Sequence, residues 1–182
     1  VRASHRDLRR RGGDRHPMIR VALSLGANLG DRLAALQFAV QTLTAVGAIV
    51  ALSDVYSTDP VGGPEQPDYY NAVVVLHTDA EPMAVLECAH DAEQGKGRTR
   101  EVRWGPRTLD VDVLAYGQLV SDDPVLTLPH PRALERAFVM VPWAQVDPGF
   151  LLPDGRTVGV VAAGLPTQGI RRLGALLLMV DQ

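Results

Sequence analysis

The sequence predicts an α+β fold, a ferredoxin-like sandwich in which helices pack on an antiparallel sheet, followed by a C-terminal hairpin and short helices. Three observations predict it. Apolar periodicity runs in the order strand, helix, strand, strand, helix, strand between residues 19 and 116. Clusters of Gly and Pro punctuate the changes. The 182 residues, 46% of them apolar, suit one domain with a sizeable core and no need of disulfides or a structural metal.

The elements follow in order. Ile19 to Leu25 is β-rich and ends at Gly26-Ala27-Asn28-Leu29-Gly30-Asp31, after which Leu33, Leu36, Val40 and Leu43 recur at helical spacing. Ile49 to Ser57 and Ala72 to His77 read as two strands, separated by a Pro- and Gly-rich loop from Thr58 to Asp68. That loop is long enough to be functional. Pro82 opens a second helix whose apolar face is Met83, Leu86, Cys88 and Ala89, ending near Gly95. A basic loop and then a strand from Thr108 to Tyr116 complete the pattern, with both helices expected on one face of the sheet. Beyond Gly117 come a short hairpin, the segment Leu128-Pro129-His130-Pro131, a helix around Ala133 to Val146 and a weakly patterned C-terminus.

Composition bounds the function classes. Residues 1 to 17 hold six arginines and no apolar segment, so they are expected to be a disordered basic leader ahead of a single catalytic domain over 18 to 182. Met18 directly precedes the first strand, which suggests translation starting there; a basic arm for nucleic acid or membrane is the alternative. Taking the leader's six basic and two acidic residues from a net charge of −3 leaves about −7 for the domain. An acidic domain is a poor general binder of polyanions, yet five of its twelve basic residues fall between positions 96 and 107. That contrast marks a local anion site. The single Cys88 suits a reducing compartment, so a cytoplasmic location is expected. No apolar run approaches the roughly 18 to 20 residues that span a bilayer.

Side chains at i and i+2 of a strand share a face, so Asp110 and Asp112 stand together while Leu109, Val111 and Val113 point to the core. Two carboxylates then meet about 6 to 7 Å apart. Like charges that close, on a sheet that disfavours Asp, need a compensating cation, and hard oxygen ligands suit Mg2+ bridging to phosphate oxygens. A solvated strand edge is the alternative. Arg98, Arg100, Arg103 and Arg107 all lie within a dozen positions of the pair, and planar guanidinium groups beside metal-bound carboxylates are what a polyphosphate requires. Lys96 reads as solvated. Trp104 either anchors this loop or covers a flat ligand, with Gly105-Pro106 fixing the turn into Arg107. His130, held between two prolines with Arg136 and Phe138 close behind, is either structural or a phosphate contact. Tyr69 and Asn71 offer an aromatic face and an amide at the start of a strand, and by themselves read as structural.

The run Arg103-Trp104-Gly105-Pro106-Arg107-Thr108-Leu109-Asp110-Val111-Asp112-Val113-Leu114, with Leu128-Pro129-His130-Pro131 downstream, resembles the 6-hydroxymethyl-7,8-dihydropterin pyrophosphokinase family of the folate pathway. The likeness extends through Ser24-Leu25-Gly26-Ala27-Asn28-Leu29-Gly30, Tyr56-Ser57-Thr58-Asp59-Pro60-Val61-Gly62 and Gln66-Pro67-Asp68-Tyr69-Tyr70-Asn71, covering residues 18 to 160. The resemblance implies transfer of the β,γ-pyrophosphoryl group of ATP to the pterin hydroxymethyl oxygen, with AMP as the other product. It implies Mg2+ as cofactor, two ions between Asp110, Asp112 and the phosphates. Carried over position by position, Thr58, Val61, Tyr69, Asn71 and Phe138 match the pterin pocket, with Tyr69 and Phe138 sandwiching the ring and Asn71 reading its edge. Glu93, Arg98, Arg103, Trp104, Arg107, Thr127, His130 and Arg136 fall on positions that line ATP, while Arg100 aligns less securely. Arg98, Arg107, Asp110 and Asp112 would form the catalytic centre. The chain departs from the pattern at Asp59, where Pro is frequent, at His90, where Gln is common, and between Arg100 and Trp104, where some relatives have one residue more.

Two rival readings remain at this level. A Mg2+-dependent nucleotide transferase with another acceptor would keep the aspartates and arginines but not Tyr69, Asn71 and Phe138. A ferredoxin-like nucleic-acid module is favoured by the leader and opposed by the acidic domain and by its nine aromatics. The expected partners are ATP and the pterin alone, bound by a monomer.

Overall fold

The computed structural model describes residues 17–60, 65–96 and 108–176. All but Pro17 of the expected leader lies outside these residues. The predicted series is present: β1 (Ile19–Ala27), α1 (Arg32–Leu43), β2 (Ala48–Leu52), β3 (Asp54–Thr58), β4 (Tyr69–Thr78), α2 (Pro82–Gly95) and β5 (Asp110–Tyr116). The strand expected over 49 to 57 is divided into β2 and β3, which both run antiparallel to β4. Ser53 separates them. Its buried hydroxyl accepts from the Val73 amide at 2.8 Å while its own N–H donates to Val73 O at 2.9 Å, so the side chain stands in for a missing ladder partner.

Both early helices start as their sequences dictate. Asp31 caps α1 by accepting from Ala34 N at 3.0 Å, and Pro82 sits in the first turn of α2, where no N–H is needed. The buried stripe of α1 is Ala35, Leu36, Ala39, Val40 and Leu43, and that of α2 is Val85, Leu86, Cys88, Ala89, Ala92 and Glu93. Leu33 and Met83, expected on those stripes, are 45% and 43% exposed. Each occupies a first turn, where the side chain leans back past the helix end and beyond the surface beneath.

The main sheet has the order β5-β1-β4-β3-β8, with β2 also paired to β4. Helices α1 and α2 cover one face as expected, over a core that includes Leu23, Leu25, Leu36, Val74 and Val111. The other face is covered as well. There Ala22, Val73, Val75 and Leu114 pack against α3 (Ala137–Val146) and α4 (Val158–Ala163) through Met140, Trp143 and Val161. The α3 segment is apolar on nearly every side, so it gains free energy only by burial, and this second face supplies the place. The helix expected over 133 to 146 is split at Arg136, whose extended backbone separates a single 3-10 turn (Ala133–Glu135) from α3.

The expected hairpin is β6 (Ser121–Asp122) with β7 (Thr127–Leu128). Strand β8 (Ile170–Ala175) was not expected; it lies outside β3 with three of its six residues consecutively exposed, so no apolar alternation announces it. The Leu128–Pro129 peptide is cis. Among the described residues no helix is long and apolar enough to cross a membrane.

Candidate active site

Strand alternation sets the chemistry. Val111 and Val113 are buried in the first core, so Asp110 and Asp112 must emerge on the opposite face, where both are half-buried. The register places Asp110 against Gly26 of β1 and Asp112 against Ser24; Gly26 in turn pairs with Asn71 of β4. Asp110, Gly26 and Asn71 therefore form one row across three strands. A side chain in the middle of that row would crowd it, because a Cβ on Gly26 would stand 3.3 Å from Asn71 Oδ1.

Two cavities open on this row. One, of about 490 Å³, is lined by Thr58, Tyr69, Asn71, Arg136 and Phe138 together with the aspartates. Asn71 Nδ2 donates to Thr58 Oγ1 at 2.7 Å, which fixes the amide orientation at the cavity wall. Tyr69 OH donates to Gln66 Oε1 at 3.3 Å, and that oxygen also accepts from buried Asn28 at 2.9 Å. The Arg136 guanidinium lies 5.7 Å from the Phe138 ring centroid, within cation–π range. The second cavity, of about 310 Å³, is lined by His90, Glu93, Thr127 and His130, again with the aspartates. Asp110 and Asp112 are the residues common to both.

Supports from two directions hold the pair. The Glu93 carboxylate, 4% exposed, accepts from the Val111 amide at 3.0 Å and so ties α2 to the residue between the aspartates. His130 N donates to Leu114 O at 2.8 Å, anchoring the segment after the cis-proline to the same strand. His130 Nε2 then stands 3.9 Å from Asp112 Oδ2, and its Nδ1 accepts from Arg132 N at 3.2 Å. Burial pushes the imidazole pKa down, Asp112 opposes that shift and Arg136 reinforces it. The net effect is to disfavour the charged ring relative to a free imidazole.

The donor set fits a magnesium ion shared with phosphate. Among the described residues no group of three or more His, Cys, Asp or Glu side chains forms a self-sufficient cage. Two half-buried carboxylates at the seam of two cavities are what Mg2+ uses when substrate oxygens and water complete its octahedron.

Of the residues expected from the sequence, Thr58, Tyr69, Asn71, Glu93, Asp110, Asp112, Thr127, His130, Arg136 and Phe138 all line one or both cavities. Val61, Arg98, Arg100, Arg103, Trp104 and Arg107 lie outside the described residues. Sequence reasoning missed Ser24, Arg132, Glu135 and Gln168 as lining residues. Arg132 could have been found from its place beside His130; Gln168 carries no such signal.

The chain is similar to known proteins in sequence and in fold. The family model described as "7,8-dihydro-6-hydroxymethylpterin-pyrophosphokinase (HPPK)" matches residues 22–148. A Pseudomonas aeruginosa protein named 2-amino-4-hydroxy-6-hydroxymethyldihydropteridine pyrophosphokinase is 39% identical over 156 residues, which is 85% of this chain and 96% of that protein. One of the same name from Methylorubrum extorquens is 45% identical over 159 residues, 86% of this chain and 99% of its own. Among solved structures, Plasmodium falciparum HPPK-DHPS with pterin and p-hydroxybenzoate superposes with a TM-score of 0.63 at 14% identity, over 82% of this chain. The chain spans 43% of that longer protein, and the likeness supports the fold.

Proposed function

The chain belongs to the 7,8-dihydro-6-hydroxymethylpterin-pyrophosphokinase family, and from that premise we propose that Asp110 and Asp112 are the metal-holding centre at which its two substrates meet. The enzyme transfers pyrophosphate from ATP to hydroxymethyl-dihydropterin in folate biosynthesis, leaving AMP. The observation that carries the site assignment is the sharing of the aspartate pair by two cavities of different character. The larger one, with an aromatic at each of positions 69 and 138 and a fixed amide at Asn71, suits a flat heterocycle with a hydrogen-bonding edge. The smaller one, with Glu93, Thr127 and His130, suits the nucleotide.

Mechanistically, the transfer asks the protein for position and for charge compensation more than for covalent chemistry. Asp110 and Asp112 would hold Mg2+, two ions in our reading, which when bound would supply neutralisation of the phosphate charge. Thr58 and Asn71 orient the pterin, Tyr69 and Phe138 cover its faces, and its hydroxymethyl group then points toward the aspartates. Glu93 keeps β5 in register, while neutral His130 can donate to a phosphate oxygen without adding charge. Arg98, Arg103, Trp104 and Arg107 are assigned to the nucleotide, and Val61 to the pterin, on their places in the motifs; Arg136, expected on the nucleotide from the same motifs, lines the larger cavity beside Phe138 and not the smaller one. The described part of 18 to 182 shares one sheet with a core on each face, which supports one catalytic domain.

The test is incubation with ATP, Mg2+ and the hydroxymethyl-dihydropterin, following AMP. Formation that requires both the metal and the pterin is the expected result. Release of ADP, or of AMP without the pterin, would overturn the assignment.

A further inference from the structure

A second charge cluster sits where β3 and β4 leave the sheet. The register pairs Thr58 with Tyr69, so Asp59 and Asp68 are the next residues outward on the two strands. Two carboxylates so placed repel each other and would part the strand ends that carry Thr58 and Tyr69. Arg171 of β8, opposite Ser57 in register, prevents this. Its Nη1 and Nη2 each donate to Asp59 Oδ1 at 3.1 Å, and Nη2 also donates to Asp68 Oδ2 at 2.6 Å. Ser57 Oγ donates to the same Asp68 oxygen at 3.2 Å. From the other side, Arg32 of α1 donates to Asp68 O at 2.8 Å and stacks 3.8 Å over Tyr70.

The local backbone is shaped to permit the contact. Asp59 N donates to Gly169 O at 3.2 Å, and Gly169 has a φ of +79°, with space for no side chain: a Cβ there would meet Asp59 Oδ2 at 2.8 Å.

We propose that Arg171 is a positioning residue for pterin binding: by bridging Asp59 and Asp68 it holds Thr58 and Tyr69 at their places in the larger cavity. The proposal rests on the reading of that cavity as the pterin pocket. Alternation along β3 and β8 puts Arg171 and Ser57 on the sheet face opposite Thr58; Asp59 lines the larger cavity and Arg171 does not, so the guanidinium acts on the pocket through the carboxylates it bridges. What it contributes is preorganisation, which lowers the ordering cost of binding and leaves the chemical step alone. The nucleotide cavity lies on β5, across β4 and β1, and does not feel it.

The experiment is steady-state kinetics of the full chain and its Arg171→Gln, Arg171→Lys and Asp59→Asn variants, with Asn71→Ala and Arg156→Gln as references. Arg171→Gln is expected to raise the KM for pterin about fivefold while the KM for ATP and kcat stay within about twofold. Arg171→Lys, a point charge able to reach one carboxylate at a time, should recover part of the loss, and Asp59→Asn should lose part. In the unsubstituted enzyme the KM for pterin should rise with added NaCl, and in Arg171→Gln that dependence should flatten. Arg156→Gln, which removes an exposed ion pair with Asp154 elsewhere, should change neither KM. An unchanged pterin KM in Arg171→Gln, or a parallel loss of kcat and of both affinities, would overturn the proposal. If Asn71→Ala raises the pterin KM and Arg171→Gln does not, the clasp alone fails; if neither does, the pocket reading fails with it.

Discussion

The Val111 amide donates to the Glu93 carboxylate at 3.0 Å, so helix α2 grips β5 at the residue that separates the two aspartates. Replacing Glu93 by Leu strands a buried N–H, at a cost of about 1–3 kcal/mol. For a domain of this size the melting temperature should fall by about 3–10 °C, read by calorimetry. Glu93→Gln retains an acceptor oxygen and should melt close to the unsubstituted protein. Because the same carboxylate lines the nucleotide cavity, a raised KM for ATP in Glu93→Gln at unchanged stability would separate its two roles.

Asp110→Asn and Asp112→Asn should each lower AMP formation by at least about a thousandfold, since each removes a carboxylate from the site of charge compensation. Stability should change little. Neither side chain is in the core, so either change should leave the melting temperature within about 3 °C of the unsubstituted protein. Loss of activity together with unfolding would show these residues to be structural.

The aspartate pair was legible because a strand imposes period two: with Val111 and Val113 buried, the carboxylates had one face left to occupy. The partners of that face were not legible in the same way. Gly26 meets both Asn71 and Asp110 only through the pairing of β1 with β4 and β5, and register is a long-range property that no local pattern states. Strand β8 escaped for the complementary reason. An edge strand with exposed Arg171, Arg172 and Leu173 buries no alternating face, and backbone pairing with β3 is all that defines it. The helices α1 and α2 follow from periodicity, yet Leu33 and Met83 are exposed, because periodicity takes no account of where the sheet beneath a stripe ends.

Gly26 should therefore be intolerant of even one methyl group. A Cβ at 3.3 Å from Asn71 Oδ1 forces the amide to shift by a few tenths of an ångström, and its bond to Thr58 at 2.7 Å leaves little slack. Gly26→Ala should raise the KM for pterin several-fold, on the order of 1 kcal/mol, with the KM for ATP unchanged. Equilibrium binding of pterin and ATP to the same variant, measured separately by calorimetry, checks the split; equal weakening of both ligands would count against the row as a pterin device.

Trp143 tests how the second core bears on the same pocket. It is fully buried, its ring is 5.3 Å from that of Phe150, and its Nε1 has no hydrogen-bond partner among the described residues. An orphaned buried donor costs about 1–3 kcal/mol. Trp143→Phe removes that cost while creating a cavity of comparable cost, so its stability should stay within about 1 kcal/mol of the starting protein. Trp143→Ala has no such offset and should lose about 3–5 kcal/mol. The position also matters at a distance, because Trp143 is the largest wholly buried side chain of α3, and the first turn of that helix presents Phe138 to the larger cavity. If packing of α3 on the sheet sets the Phe138 ring, Trp143→Phe should leave the pterin KM unchanged. Trp143→Ala, assayed well below its lowered melting temperature, should raise it with the ATP KM held. Equal pterin affinity in the two variants would mean that Phe138 is placed by its immediate neighbours, and that the second core supplies stability without shaping the site.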